Sequence, residues 1–194
     1  MIKSIVFDWG GVISPAGTPD EVVMSLAHIL GEDTVKVRHT FSREAELLKR
    51  GGITERTFWE NIENLFDASI PETLRSKIWT PIELFQPDQV IMDYILSLKS
   101  KNYVVSVLSN TFPATAFGIK QRGWYDHFNV VVLSSDVGFA KPDLEIYELI
   151  LAKTHLSASE TLFIDDQEKC LKPARTLGMG TVLSLNSSQM IAEI

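Results

Sequence analysis

Two kinds of hydrophobic pattern alternate along most of this chain. Short, largely apolar runs rich in β-branched residues cover Ile5-Val6-Phe7, Tyr103 to Leu108, Phe128 to Leu133, Thr161 to Ile164 and Thr181 to Leu185. Runs of this length and composition predict strands. Between them apolar residues recur every three or four positions: Val90, Ile91, Tyr94, Ile95 and Leu98, then the stretches Ala114 to Arg122, Leu144 to Lys153 and Lys169 to Leu177. That spacing predicts amphipathic helices. Strands alternating with helices predict an α/β fold, a parallel sheet doubly wound by helices. Strands apolar on both sides fit a sheet covered on both faces.

One long segment breaks the alternation. Ser14 to Pro19 reads as a linker, and Pro19-Asp20-Glu21 as a helix start with Thr18 as its N-cap. From there to about Phe85 no strand pattern occurs. Val22, Val23, Leu26, Ile29 and Leu30 recur at helical spacing, as do Phe41, Ala45 and Leu48, then Phe58, Ile62, Leu65 and Phe66. Gly51-Gly52 separates two helices, and Thr54-Glu55-Arg56 opens the next. The segment is long enough for a four-helix cluster. The expected organisation is an α/β core from residues 1–14 and 86–194, with an all-helical insert at 15–85.

Composition narrows the function. The 194 residues suffice for one good core plus a small insert. The formal charge of −7, without a basic run, argues against nucleic acid or an anionic membrane surface as partner. A single cysteine, Cys170, excludes an internal disulfide and a Cys-based zinc cage. No apolar run approaches the roughly 20 residues of a membrane span, and Asp8 interrupts the N-terminal apolar stretch too early for a signal peptide. A cytoplasmic monomer or homodimer is expected.

In open parallel sheets ligands bind beyond the carboxyl ends of the strands. The first strand delivers Asp8 there, the second Ser109 and Asn110, a loop after the third Lys141, and the fourth Asp165 and Asp166. Taken singly, Ser109-Asn110-Thr111 also reads as a helix-capping turn, and Lys141-Pro142 as a solvated loop. Together they place three carboxylates, hydroxyl and amide donors and one ammonium on one rim. Three carboxylates repel unless a cation sits among them. An oxygen-only ligand set favours magnesium, and the ammonium and donors suit a phosphate beside it.

Four segments carry a family resemblance. Asp8-Trp9-Gly10-Gly11-Val12-Ile13, Leu108-Ser109-Asn110, Ala140-Lys141-Pro142 and Phe163-Ile164-Asp165-Asp166 resemble, in order, the four motifs of the haloacid dehalogenase superfamily. The helical insert resembles that superfamily's small cap domain. The resemblance spans essentially the whole chain and implies a Rossmann-like core. It also implies a Mg²⁺-dependent phosphomonoesterase acting on a small phosphorylated metabolite, with sugar phosphates among the candidates. Asp8 would be the nucleophile, forming an aspartyl-phosphate. Magnesium would be held by Asp8, the Gly10 carbonyl, Asp166 and Asp165. Ser109 and Lys141 would hold phosphate oxygens, helped by Asn110 and the amides of Trp9 and Gly10.

The resemblance has two departures. The position two after the nucleophile usually carries a second Asp, the general acid/base; here it is Gly10. Such a group is worth about 10²–10⁴ in rate, so the alternative is a weak or inactive phosphate-binding or protein-interaction module. Some members with an Asp-x-Gly-Gly or Asp-x-Gly-Asn first motif nevertheless resemble sugar-phosphate phosphatases. Cys170 stands where related sequences often carry Asn. A 2-haloacid dehalogenase fits less well, since that first motif resembles Asp-x-Tyr. No Gly-x-Gly-x-x-Gly follows the first strand, which disfavours dinucleotide binding. Arg43, Glu44 and Arg50 are expected on a solvated charged face, and Trp59, Trp79 and Trp124 in the core or at the cap interface rather than in contact with ligand. The four histidines show no metal-ligand spacing.

Overall fold

The computed structural model describes residues 1–15, 19–73, 75 and 85–194. Thr18 and Trp79 lie outside the described residues. The sheet has five parallel strands, β1 (Ser4–Phe7), β2 (Val104–Ser109), β3 (Val130–Leu133), β4 (Thr161–Asp165) and β5 (Gly180–Leu183), in the order β3-β2-β1-β4-β5. All five expected strands are present. The third begins two residues late: Phe128 closes a 3₁₀ turn over Trp124–His127, and the Asn129 side chain takes the amide of Val105 instead.

The helices are α1 (Pro19–Leu30), α2 (Thr34–Lys49), α3 (Glu55–Phe66), α4 (Gln89–Ser100), α5 (Pro113–Gln121), α6 (Ser134–Val137), α7 (Leu144–Thr154), α8 (Glu168–Thr176) and α9 (Ser187–Glu193). The short α6 and α9 have too few periodic positions to register as sequence patterns. Local chemistry sets the starts of several others. Asp33, Thr54 and Asp88 accept backbone N–H bonds in the first turns of α2, α3 and α4, where helical donors otherwise lack partners.

Each central strand buries both faces, which is why it reads as an unbroken apolar run. Ile5 and Phe7 point into a layer with Ile91, Ile95 and Ile119 from α4 and α5. Val6 and Phe163 point the other way, against Ile146 and Tyr147 of α7 and Leu171 of α8. Full burial of one such side chain stabilises by about 1.5–3 kcal/mol.

The described part of the insert has its own apolar cluster. Val23, Leu26, Val37, Phe41, Leu48, Phe58, Trp59 and Ile62 come from α1, α2 and α3. Three insert helices are therefore described against the expected four, and residues 76–84 lie outside the description. Gly51, at φ +64°, ends α2 against the core: a Cβ there would sit 2.5 Å from the Ser135 carbonyl oxygen. Among the described residues no helix is long and apolar enough to cross a membrane.

Candidate active site

β1 lies between β2 and β4, and the winding of the chain reverses there, so a crevice opens at its carboxyl end. The register pairs Phe7 with Ile164, which sets the next residue of each strand, Asp8 and Asp165, side by side. The Asp8 amide still donates to the Ile164 carbonyl at 2.9 Å, so the last ladder bond fixes where this carboxylate stands. Ser109 ends β2, in step with Trp9, and is buried.

Lys141 enters from the loop before α7. Its Nζ lies 2.8 Å from Asp8 Oδ1 and 2.6 Å from Asp165 Oδ2. Asp8, Lys141 and Asp165 are only 7%, 4% and 0% exposed. Burial alone would pull the lysine's pKa down; Asp8 and Asp165 outweigh it and hold the ammonium charged. Burial raises the pKa of Asp8, Lys141 opposes the rise, and Asp165 adds to it. Asp8 Oδ1 also accepts the Trp9 amide at 2.7 Å. Among the described residues no hydrogen bond falls on Asp8 Oδ2, which leaves that oxygen free to react.

Asp166 completes the acid cluster. Ligand oxygens of Asp8, Asp165 and Asp166 all lie within 4.8 Å of one another. Both oxygens of Asp165 are engaged, one by Lys141 and the other by the Gln167 amide at 2.8 Å. Asp166 Oδ1 is buried and has no donor among the described residues. Burial, then Asp165, raise the Asp166 pKa. A buried carboxylate oxygen without a partner is costly, and three carboxylates face one ammonium. The donor set therefore fits a hard divalent cation. Gly11 makes room for the Asp166 carboxylate: at φ +85° its missing Cβ would lie 2.2 Å from Asp166 Oδ2.

Several predicted residues also make contacts within the protein. The Asn110 side chain clamps the backbone of Lys141, donating to its carbonyl and accepting from its amide, both at 2.8 Å. It holds Lys141 in place. The Trp9 amide serves Asp8, and its indole packs on Trp124 and Tyr125 while donating to the Phe85 carbonyl. Trp59 is buried among α1–α3, and Trp124 is half-buried against the α/β core. Cys170 is buried, and its carbonyl accepts the Tyr147 hydroxyl at 2.6 Å.

Arg43 is exposed, as expected, but the same expectation for Glu44 and Arg50 is corrected. Glu44 is 3% exposed and accepts from Arg43 and Asn61. Arg50 reaches across to the core, where it forms a two-pronged pair with Asp143. Its neighbour Lys49 offers its carbonyl to Ser134 Oγ at 2.7 Å. These contacts seat the end of α2 over the crevice.

A cleft of about 300 Å³ results, with Asp8, Gly10, Asn110 and Lys141 on the core side and Glu46 and Lys49 of α2 facing them. Glu46 and Lys49 carried no sequence signal, since an i, i+3 charge pair on an amphipathic helix reads as an ordinary solvated face.

Comparison with known proteins agrees with this geometry. A D-ribitol-5-phosphate phosphatase of Bacteroides thetaiotaomicron is 28% identical over 202 aligned positions, covering 100% of this chain and 97% of the relative. A sesquiterpene phosphatase of Aspergillus oryzae is 27% identical over 91% of this chain and 87% of its own. A haloacid dehalogenase-family enzyme from B. thetaiotaomicron, crystallised with magnesium and inorganic phosphate, superposes with a TM-score of 0.79 at 22% identity, over 98% of this chain and 99% of its own. The family model described as haloacid dehalogenase-like hydrolase matches residues 2–178. With an aspartate at the end of the central parallel strand and a buried lysine bridging it to the acid pair of the neighbouring strand, the chain belongs to the haloacid dehalogenase-like hydrolase family.

Proposed function

We propose that this hydrolase is a magnesium-dependent phosphomonoesterase that acts on a small phosphorylated metabolite, a sugar or polyol phosphate, through an aspartyl-phosphate on Asp8. The observation that carries the reading is the Lys141 ammonium bonded to both Asp8 and Asp165, beside the unpartnered Oδ1 of Asp166. The full-length similarity to a polyol-phosphate phosphatase supports it.

Asp8 attacks phosphorus through Oδ2, with Oδ1 held by Lys141 and the Trp9 amide. The P–O bond to the alcohol breaks and the acyl phosphate forms; water then attacks phosphorus and releases Asp8 with inorganic phosphate. A carboxylate nucleophile divides one hard displacement into two easier ones. Lys141 stabilises charge on the transferring phosphoryl oxygens, with Ser109 as a further donor. Asp8, Asp166 and the Gly10 carbonyl would hold magnesium, with Asp165 beside them anchoring Lys141. Bound there, the cation offsets repulsion between the carboxylates and the phosphate dianion. The helical insert closes over the site and excludes bulk water.

Gly10 supplies no proton, so the leaving alcohol receives none from that position. This favours a second reading, a phosphate-binding module with little turnover. Phosphate release from a panel of phosphorylated metabolites, with and without magnesium and against an Asp8→Asn control, separates the two. Magnesium-dependent release that Asp8→Asn abolishes is expected. No release above that control on any ester would leave the binding module standing. Magnesium is also expected to raise the Tm of the wild type, and Asp166→Ala to remove that rise.

A further inference from the structure

We propose that Glu46 and Lys49, on the last turn of α2, form the subsite that reads the alcohol portion of the ester, and that they select a neutral, hydroxylated leaving group. The inference rests on the phosphatase reading above and specifies what lies beyond the phosphate.

Both side chains line the same 300 Å³ cleft as Asp8 and Lys141, at the small end of the range for ligand sites. They approach from the insert, opposite the reacting carboxylate. Their pairing sets what they recognise. Lys49 Nζ lies 2.5 Å from Glu46 Oε2, and Arg50 Nε lies 2.8 Å from Glu46 Oε1. Burial opposes ionisation of Glu46, but Lys49 and Arg50 hold its carboxyl below the usual range. It is therefore an acceptor at neutral pH.

Each carboxylate oxygen can take a second hydrogen bond, and the ammonium has two more N–H groups to give. A hydroxyl can donate to the one and accept from the other. The two charges cancel, so the pair calls for no charge on the ligand, and Glu46 would repel a second phosphate or a carboxylate. Among the described lining residues only Gly10, Pro142 and Cys170 are apolar, a small surface for an isoprenoid chain.

Arg50 positions the pair. It is bonded at once to Glu46 and to Asp143, two residues from Lys141, and Asp143 also accepts the Ala140 amide at 3.2 Å. The subsite is thereby tied to the same loop that delivers the catalytic ammonium.

The test is calorimetric and independent of turnover. In an Asp8→Asn background with magnesium, D-ribitol 5-phosphate and methyl phosphate are titrated into the parent, Glu46→Gln and Lys49→Met proteins, with urea unfolding run alongside. The parent is expected to prefer ribitol phosphate. Each variant is expected to lose about tenfold or more of that preference, the size of one charge-assisted hydrogen bond. Equal weakening of both ligands, an unchanged preference, or no preference in the parent would each overturn the proposal. Hydrolysis by the Asp8 protein is measured separately. Turnover with an unchanged binding preference would sink the subsite and spare the function. A lost preference without turnover would do the reverse.

Discussion

Gly10→Asp tests the proposed lack of a general acid at position 10, and the structure sets its terms. A Cβ at position 10 meets nothing within 4 Å, and the backbone there is outside the left-handed region. A Cβ is therefore admitted without steric conflict. Replacing glycine at a compatible position stabilises by about 0.4–1 kcal/mol. An added carboxylate beside Asp8, Asp165 and Asp166 works against that gain in the absence of metal. The net change in folding stability is expected to stay within about 1 kcal/mol.

The rate is another matter. A positioned general acid contributes about 10²–10⁴, equivalent to about 3–5 kcal/mol of barrier. The full gain is expected only for an alkyl ester, whose alkoxide must be protonated as it leaves. p-Nitrophenyl phosphate releases a stable anion and should gain little. The assay is kcat for D-ribitol 5-phosphate and p-nitrophenyl phosphate in wild type and variant, with magnesium and with urea unfolding alongside. Equal effects on the two esters would refute the reasoning and turn attention to another proton source in the cleft, where Lys49 and Lys169 are the cationic candidates. Gly11→Ala is the counterpart. There a Cβ would collide with Asp166 Oδ2 at a left-handed φ, so activity and the magnesium-induced rise in Tm should both be lost.

Two further outcomes follow from contacts around the site. Asn110→Ala removes both hydrogen bonds that clamp the Lys141 backbone; urea unfolding should show a loss of about 1–3 kcal/mol, and a loss below about 0.5 kcal/mol would mean the clamp is unimportant. Arg50, first among the causes, lowers the pKa of Asp143, while burial opposes the shift. The pair therefore stabilises the fold fully above the ordinary carboxylate value of about 4, and its contribution fades as pH falls from there through the lowered folded value. The stability difference between wild type and Asp143→Asn should be about 1 kcal/mol at neutral pH, allowing for solvent screening, and should shrink on acidification; a difference that grows towards low pH would contradict the assignment.

The five strands, their parallel winding and the carboxyl-end rim are all legible in the amino-acid sequence. Burial on both faces forces unbroken apolar runs such as Ile5-Val6-Phe7, and a polar residue must follow where each strand emerges from the core. Asp8, Lys141, Asp165 and Asp166 were legible for that reason. Their division of labour was not. Register alone sets Asp8 beside Asp165, and only the folded loop shows Lys141 bridging them, Asn110 holding Lys141, and Asp166 left with an unpartnered oxygen. The placement of Glu46, Lys49 and Arg50 likewise depends on tertiary contacts. Charges three or four apart on an amphipathic helix look the same whether they face water or a cleft. What distinguishes them here is the seating of α2 against the core by Ser134 and Asp143, contacts 85 and 93 residues distant along the chain.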